Sequence, residues 1–336
     1  MLITVTPNPS LDLLFTAERL AWDDANRVPM PRRRPGGQGI NVVRAVRTLA
    51  PGTAVRAVAP LGGPVGDELR QMLEAESTPL TAVPIARDTR VFVGVRESAT
   101  GRSLLLNPRG PEVTAGEADT LFDAVVDALD SASEASREPG ASGDDAALWL
   151  AACGSLLRGL PADFYARVGR AARARGFRFV PDGDGEALAA AVPEADLLVP
   201  NALEAGRLVG RAVETPEAAV TAARELRDRG PERVVVTLGR DGAVAVDGAG
   251  SWRARPVPPP DAAAAAGAAL AGASAVGAGD AFLAALLLAL GGAVDLPDAV
   301  ADAVAAGTAV LLSSGPDLLR RADAAEVRRW VVVGAT

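Results

Sequence analysis

The stretch Ala275-Val276-Gly277-Ala278-Gly279-Asp280-Ala281-Phe282 is a turn of small residues that opens directly into an apolar helix. First-turn N–H groups of a helix lack intrahelical partners, and the helix dipole adds positive potential there, so such a turn can hold an anion. Asp280 has two uses in that setting. It can cap the helix, or it can accept a proton from a hydroxyl while the amides hold the group being transferred to that oxygen.

Upstream of this turn, short β-branched runs alternate with helical patterns. Leu2–Thr6, Val55–Ala59, Ala147–Ala152, Phe177–Val180, Leu197–Val199 and Val234–Leu238 read as buried strands. Ile40–Leu49, Val65–Ala75, Ala115–Leu129, Ala162–Ala174 and Pro216–Arg229 show helical spacing. The alternation predicts an α/β fold, with crossover units and a mostly parallel sheet covered on both faces. Residues 13–35 and 89–106 break the pattern with half-apolar alternation such as Val91-Phe92-Val93-Gly94-Val95, which suits a small antiparallel sheet serving as a lid. Ser131–Asp145 and Pro256–Gly272 have the composition of loops or insertions. Downstream, Ala278–Leu290, Leu296–Leu312 and Ala324–Val332 read as helices.

Composition removes much chemistry. All 34 basic residues are Arg, His is absent and there is one Cys, so His-dependent triads, His-ligated metals, Lys Schiff bases and Walker-type lysines are excluded. Carboxylates, Arg, amides, hydroxyls, backbone N–H groups and a hard metal ion remain. A net charge of -8 argues against general nucleic-acid binding. The apolar run Ala281 to Val294 is shorter than the roughly 20 residues of a membrane helix, so no membrane is expected and a cytoplasmic location is.

Further candidates stand along the chain. Gly36, Gly37 and Gly39 let backbone approach a ligand ahead of Asn41, or form a tight turn with a cap. Asp12 follows a buried strand, where ligands sit in open α/β sheets. Arg27 and Arg90 fall in the expected lid and can grip a phosphate, although a lone Arg is more often solvated. Asn201 and Glu204 are spaced to share a helix face, holding either a metal's water shell or the helix cap.

Gly277-Ala278-Gly279-Asp280 resembles the signature of the PfkB (ribokinase-like) carbohydrate kinases. Other motifs follow in order. They include Thr6-Pro7-Asn8-Pro9-Ser10-Leu11-Asp12, Asn26-Arg27-Val28, Gly36-Gly37-Gln38-Gly39-Ile40-Asn41-Val42, Thr89-Arg90 and Gly154-Ser155-Leu156. Asp182-Gly183-Asp184-Gly185-Glu186-Ala187-Leu188, Pro200-Asn201-Ala202-Leu203-Glu204, Thr237-Leu238-Gly239-Arg240-Asp241-Gly242-Ala243 and Ala305-Ala306-Gly307 complete the set. The first glycine-rich motif is most similar to the 1-phosphofructokinase and tagatose-6-phosphate kinase subgroup.

The resemblance implies one ribokinase-like kinase domain over 1–336, a three-layer sandwich with an inserted β-sheet lid. It implies Asp280 as catalytic base, and Gly277, Ala278 and Gly279 as the turn around the transferring phosphoryl group. Asp12, Arg27, Gly37, Gly39, Asn41, Arg90 and Ser155 become substrate residues. Asn201, Glu204, Thr237, Gly239, Gly242 and Gly307 fall on the nucleotide side, with Asn201 and Glu204 holding Mg2+ through water. ATP and Mg2+ are the implied cofactors. The implied reaction converts fructose 1-phosphate to fructose 1,6-bisphosphate in a homodimer joined through the lid. Fructose 6-phosphate, tagatose 6-phosphate, an unphosphorylated sugar or nucleoside, and a non-catalytic binding protein are the alternatives.

Several positions depart from the pattern. Gln38 and Val199 stand where Lys is usual, Ala275 where Ser or Thr is common, and Leu157-Arg158 where Pro is paired. Asn107-Pro108-Arg109-Gly110-Pro111 is a shuffled form of the subgroup's motif. Arg33, Arg34, Arg109 and Arg158 are candidates to restore the lost positive charge, on which phosphoryl transfer depends.

Overall fold

The computed structural model describes residues 1–137, 147–260, 276–312 and 319–336. Five strands form an all-parallel sheet in the order β5 (Leu80–Pro84), β4 (Val55–Leu61), β1 (Leu2–Val5), β8 (Trp149–Cys153), β9 (Arg178–Asp182). The side chains of the inner strands β1, β4 and β8 are nearly all buried on both faces, which is why these runs lack polar alternation. A second sheet runs β10 (Leu197–Leu198), β11 (Arg233–Thr237), β12 (Ala243–Val246), β13 (Ser251–Pro256), β14 (Val331–Ala335). Its β10/β11 pair is parallel and the rest antiparallel. The Asp196 amide donates to the Phe179 carbonyl at 2.9 Å, stitching the two sheets along one edge.

Helices cover both faces. One core joins α1 (Gln38–Leu49), α8 (Ala278–Gly291) and α9 (Leu296–Leu312) to the inner strands. The opposite core packs α3 (Ala115–Ser136) and α4 (Phe164–Arg173) on β1 and β8. A third core lies between α7 (Pro216–Arg227) and the second sheet. The helix α8 is apolar all round and correspondingly buried over nearly its whole length. Three layers with helices outside follow the expected architecture.

Four strands, in the order β3 (Arg32–Gly36), β2 (Ser10–Ala17), β6 (Arg90–Glu97), β7 (Ser103–Leu106), make the expected small sheet. It is mixed, because β2 and β6 run parallel. Its first segment begins at Ser10 rather than residue 13, and 18–31 form no strand. Four further readings are corrected. α3 continues through Ser131 to Ser136, and Pro256 ends β13, while 138–145 and 261–272 of the two expected insertions lie outside the described residues. The helix expected over Ala324–Val332 is α10 (Arg321–Arg328), and Val331 to Val333 belong to β14, paired with β13. A short apolar run carries no period long enough to tell strand from helix, and the open edge of β13 decides it. The strands β5, β12 and β13 and α6 (Ala202–Val209) were not anticipated. Among the described residues, no helix is long and apolar enough to cross a membrane.

Candidate active site

A cavity of about 670 Å³ opens where β1, β8 and β9 end, between the parallel sheet and the four-stranded sheet. Asp280 stands at its floor. Gly277 precedes α8 with φ +87°, a left-handed turn that suits glycine, and no side chain caps the helix. The capping role for Asp280 is therefore not the one adopted. Its carboxylate accepts from Asn41 Nδ2 at 2.8 Å instead, across 239 residues of sequence. Burial pushes Asp280 up to about 6, against the opposing pull of the Asn41 hydrogen bond and of the Arg34 charge. A carboxylate poised there is ionised near neutrality yet close enough to titrate, which suits a general base.

Asp12 projects from β2 with Oδ1 accepting from Ser10 Oγ at 2.7 Å and Oδ2 3.6 Å from Arg34 Nε. Burial raises its pKa, while Ser10, Arg34 and Arg90 pull the other way. Gly37, with φ +117°, leaves room for the Thr6 methyl, which a Cβ would meet at 2.7 Å. Arg90 begins β6 and donates to the carbonyls of Asn8 and Pro108, both at 2.9 Å, and to Asn107 Oδ1. Its guanidinium lines the cavity and is partly desolvated. Ser155 Oγ accepts from Asn8 Nδ2 at 3.0 Å. Thr6 Oγ1, Asn8 Oδ1 and Asn41 Oδ1 are buried at this cavity without a hydrogen-bond partner. Buried polar atoms are nearly always satisfied, so three unmet ones around a recess point to a ligand rich in hydroxyl groups.

Further acids stand close to Asp280 at this end of the sheet, with Glu204 lining the cavity and Asp182 next to its lining residue Gly183. Burial, with the Asp280 and Glu204 carboxylates nearby, raises Asp182 to about 8. Glu204 is likewise raised, chiefly by desolvation. Oxygen donors that repel one another in this way fit a hard divalent cation carried in with a nucleotide. Among the described residues they do not form a three-ligand cluster of their own, so any such ion takes part of its shell from elsewhere.

A second cavity, about 540 Å³, is lined by Asn201, Thr237 and Gly239. Asn201 and Glu204 form a capping box on α6: Asn201 Oδ1 accepts from the Leu203 and Glu204 amides, and Glu204 Oε2 accepts from the Asn201 amide at 2.9 Å. The capping arrangement considered for this pair is thus present, and Glu204 alone of the two also reaches the first cavity.

Other candidates lie off both cavities. Arg27 is exposed on the 18–31 connection. Gly39 is buried against Thr4 and Thr6, where a Cβ would meet Thr6 Oγ1 at 2.5 Å. Gly242 turns the β11/β12 hairpin, Gly307 packs α9 on the Ala278 carbonyl and Phe282, and Ala278 itself opens α8 between the lining residues Gly277 and Gly279. Of the four arginines considered as replacements for lysine, Arg34 alone touches the site. Arg33 pairs with Glu68, Arg158 lies 3.9 Å from Glu112, and Arg109 is exposed. Gln38 lines the cavity, but Val199 is buried in the core shared with α8 and α9. Ala275 lies outside the described residues. Sequence reading missed Asp182, Thr6 and Asn8 as site residues, although each sits at or just beyond a strand's C-terminal end, where a signal was available.

A sequence profile of the pfkB family carbohydrate kinases matches residues 8–321. The chain is 32% identical over 323 residues to ATP-dependent 6-phosphofructokinase isozyme 2 of Mycobacterium tuberculosis, covering 96% of this chain and 87% of that one. It is 32% identical over 331 residues to 1-phosphofructokinase of Rhodobacter capsulatus, covering 98% and 96%. The crystal structure of phosphofructokinase-2 from Escherichia coli in complex with potassium superposes with a TM-score of 0.83 at 29% identity, covering 98% of both chains.

Proposed function

The chain belongs to the pfkB family of carbohydrate kinases and is a sugar-phosphate kinase; from that premise we propose that it converts fructose 1-phosphate and ATP to fructose 1,6-bisphosphate and ADP. The carrying observation is the Asn41-bonded Asp280 carboxylate, raised to about 6 beside the uncapped N-terminus of α8. The sugar hydroxyl oxygen bonds to the γ-phosphorus as its proton passes to Asp280, and the bond to the β-phosphate oxygen breaks to release ADP. The Gly277, Ala278 and Gly279 turn offers amides to the charge that builds on the transferring group. Asp12, Gly37 and the unmet oxygens of Thr6, Asn8 and Asn41 take the sugar's hydroxyls, and Arg90 with Ser155 faces its phosphate. Mg2+ would be held by Glu204 and Asp182 with the nucleotide's oxygens, supplying neutralising charge. Thr237 and Gly239 form the wall for the rest of the nucleotide.

Fructose 6-phosphate is the second reading, favoured by the relatives named 6-phosphofructokinase; it gives the same product from the other end. The four-stranded sheet serves as lid and as the face of a homodimer, since Trp22 and Met30 on its connection are 75% and 86% exposed. ADP release from Mg-ATP is to be measured with fructose 1-phosphate, fructose 6-phosphate, tagatose 6-phosphate, free fructose and ribose, beside an Asp280→Asn control. Turnover confined to one fructose monophosphate and lost in the control is expected. Thermal stabilisation by ATP without turnover would instead make this a binding protein.

A further inference from the structure

A separate recess of about 680 Å³ lies against the outer side of α1. Seven arginines line it: the three that open β3, Arg44 and Arg47 of α1, and Arg320 and Arg321 at the start of α10. Among the described lining residues the sole carboxylate is Glu76, held by Arg44 at 2.7 Å, while Glu68, Asp12 and Asp323 outside the lining pair with Arg33, Arg34 and Arg320. In a chain of net charge -8, a fifth of its 34 basic residues thus converge on one concavity. Among the described residues Arg47 and Arg321 have no ion pair, and positive charges gathered beside them raise one another's energy where carboxylates do not offset them. The Arg34 pKa is lowered, by burial first and by the charges of Arg44 and Arg32, against the opposing pull of Asp12.

Two buried guanidinium nitrogens of lining residues lack a hydrogen-bond partner, Arg44 Nη1 and Arg34 Nε, the latter 3.6 Å from Asp12 Oδ2. Arg47 donates only to neutral oxygens, the Glu76 carbonyl at 2.7 Å and Thr78 Oγ1 at 3.0 Å. Hydrogen bonds of this kind fix the guanidinium in place without neutralising it. Forked, always-charged donors suit phosphate oxygens, and a recess of a few hundred Å³ admits a small molecule rather than a duplex. Neither Asp280 nor Asp12 lines it. Asn41 and Gly277 line both it and the transfer cavity, so the two share one wall.

We propose that this arginine-lined recess is a second ligand site, distinct from the transfer cavity, that binds a small molecule carrying two or more phosphate groups. The same chemistry is presented by a nucleoside diphosphate, a sugar bisphosphate and an inorganic polyphosphate. Binding is the readout, so the proposal stands or falls independently of the sugar assignment.

The test is calorimetric titration of the full chain with inorganic tripolyphosphate, ADP and fructose 1,6-bisphosphate in separate arms. Each is run with the transfer cavity saturated by a non-hydrolysable ATP analogue and the preferred fructose monophosphate. One further equivalent of at least one probe is expected to bind, with an affinity that falls steeply with salt. The arm with the tightest binding identifies the source. Arg47→Gln combined with Arg321→Gln is expected to weaken that binding at least tenfold while leaving ATP analogue affinity within twofold. Should the double variant fail to fold, Arg321→Gln alone, at an exposed position, is expected to weaken it severalfold. Absence of binding in all three arms, displacement by the ATP analogue, or affinity unchanged in the folded variants would overturn the proposal.

Discussion

The two cavities along the ends of the sheets are built on opposite principles. The Asp280 cavity keeps buried polar atoms unmet, with Asp280 raised to about 6 and Asp182, just behind its wall, to about 8. The Asn201 cavity is edged by a helix whose cap is fully closed, with Asn201 and Glu204 satisfying each other's backbone. Unmet groups cost stability and await a partner, whereas satisfied ones cost nothing and hold shape. Chemistry is therefore expected from the first region and positioning from the second.

The hardest blow to that contrast is Asp280→Asn. Turnover is expected to fall roughly 10²–10⁴-fold, with ATP affinity little changed, because the general base is lost and the neutral amide keeps the shape. Near-normal turnover in single-turnover kinetics would remove Asp280 from the chemistry and erase the distinction. Arg90→Ala comes next. Loss of charged hydrogen bonds worth about 1.5–3 kcal/mol is expected to raise KM for the sugar phosphate by roughly tenfold to a hundredfold. The same variant should leave KM for free fructose unchanged; an equal rise for both would show that Arg90 acts only through Asn8 and Pro108.

The pH profile sharpens the comparison further. With the base raised to about 6, kcat/KM is expected to drop tenfold per pH unit below that value. Stability runs the other way. Asp182 binds its proton more tightly folded than unfolded, so folding is favoured while it is protonated, and that advantage is lost as pH rises toward about 8. Asp182→Asn is expected to stabilise the protein at pH 8 by on the order of 1 kcal/mol or more, seen as a raised Tm. Unchanged stability would mean that Asp182 is ionised and solvated. The smallest effect belongs to the second cavity: Asn201→Ala removes a cap, at about 1 kcal/mol, with turnover nearly intact. A large loss of turnover there would place chemistry in both regions.

Much of this was legible beforehand. The buried strands β1, β4, β8 and β9 announce themselves as short, mostly apolar runs, and the turn before α8 as glycine against an apolar helix. Asp12, Asn41, Arg90 and Asp280 were chosen from motifs, and they do meet. Arg27 was chosen on the same ground and lies on the exposed connection, because a motif carries no information on where a loop swings. Arg34 had only its charge to recommend it, and pairing of β2 with β3 sets it opposite Asp12.

Local sequence by itself determined the layers, the strand-end positions of the polar residues and the anion-ready helix start, since periodicity and backbone chemistry act over a few residues. Tertiary structure alone decided that Asn41 meets Asp280, that Val199 lies in the core while Gln38 faces the cavity, and that β3 and α1 pool their arginines with those of distant α10 in one recess. Those outcomes depend on distances and desolvation between segments more than 200 residues apart, and burial and pairing over such separations are set when the chain packs.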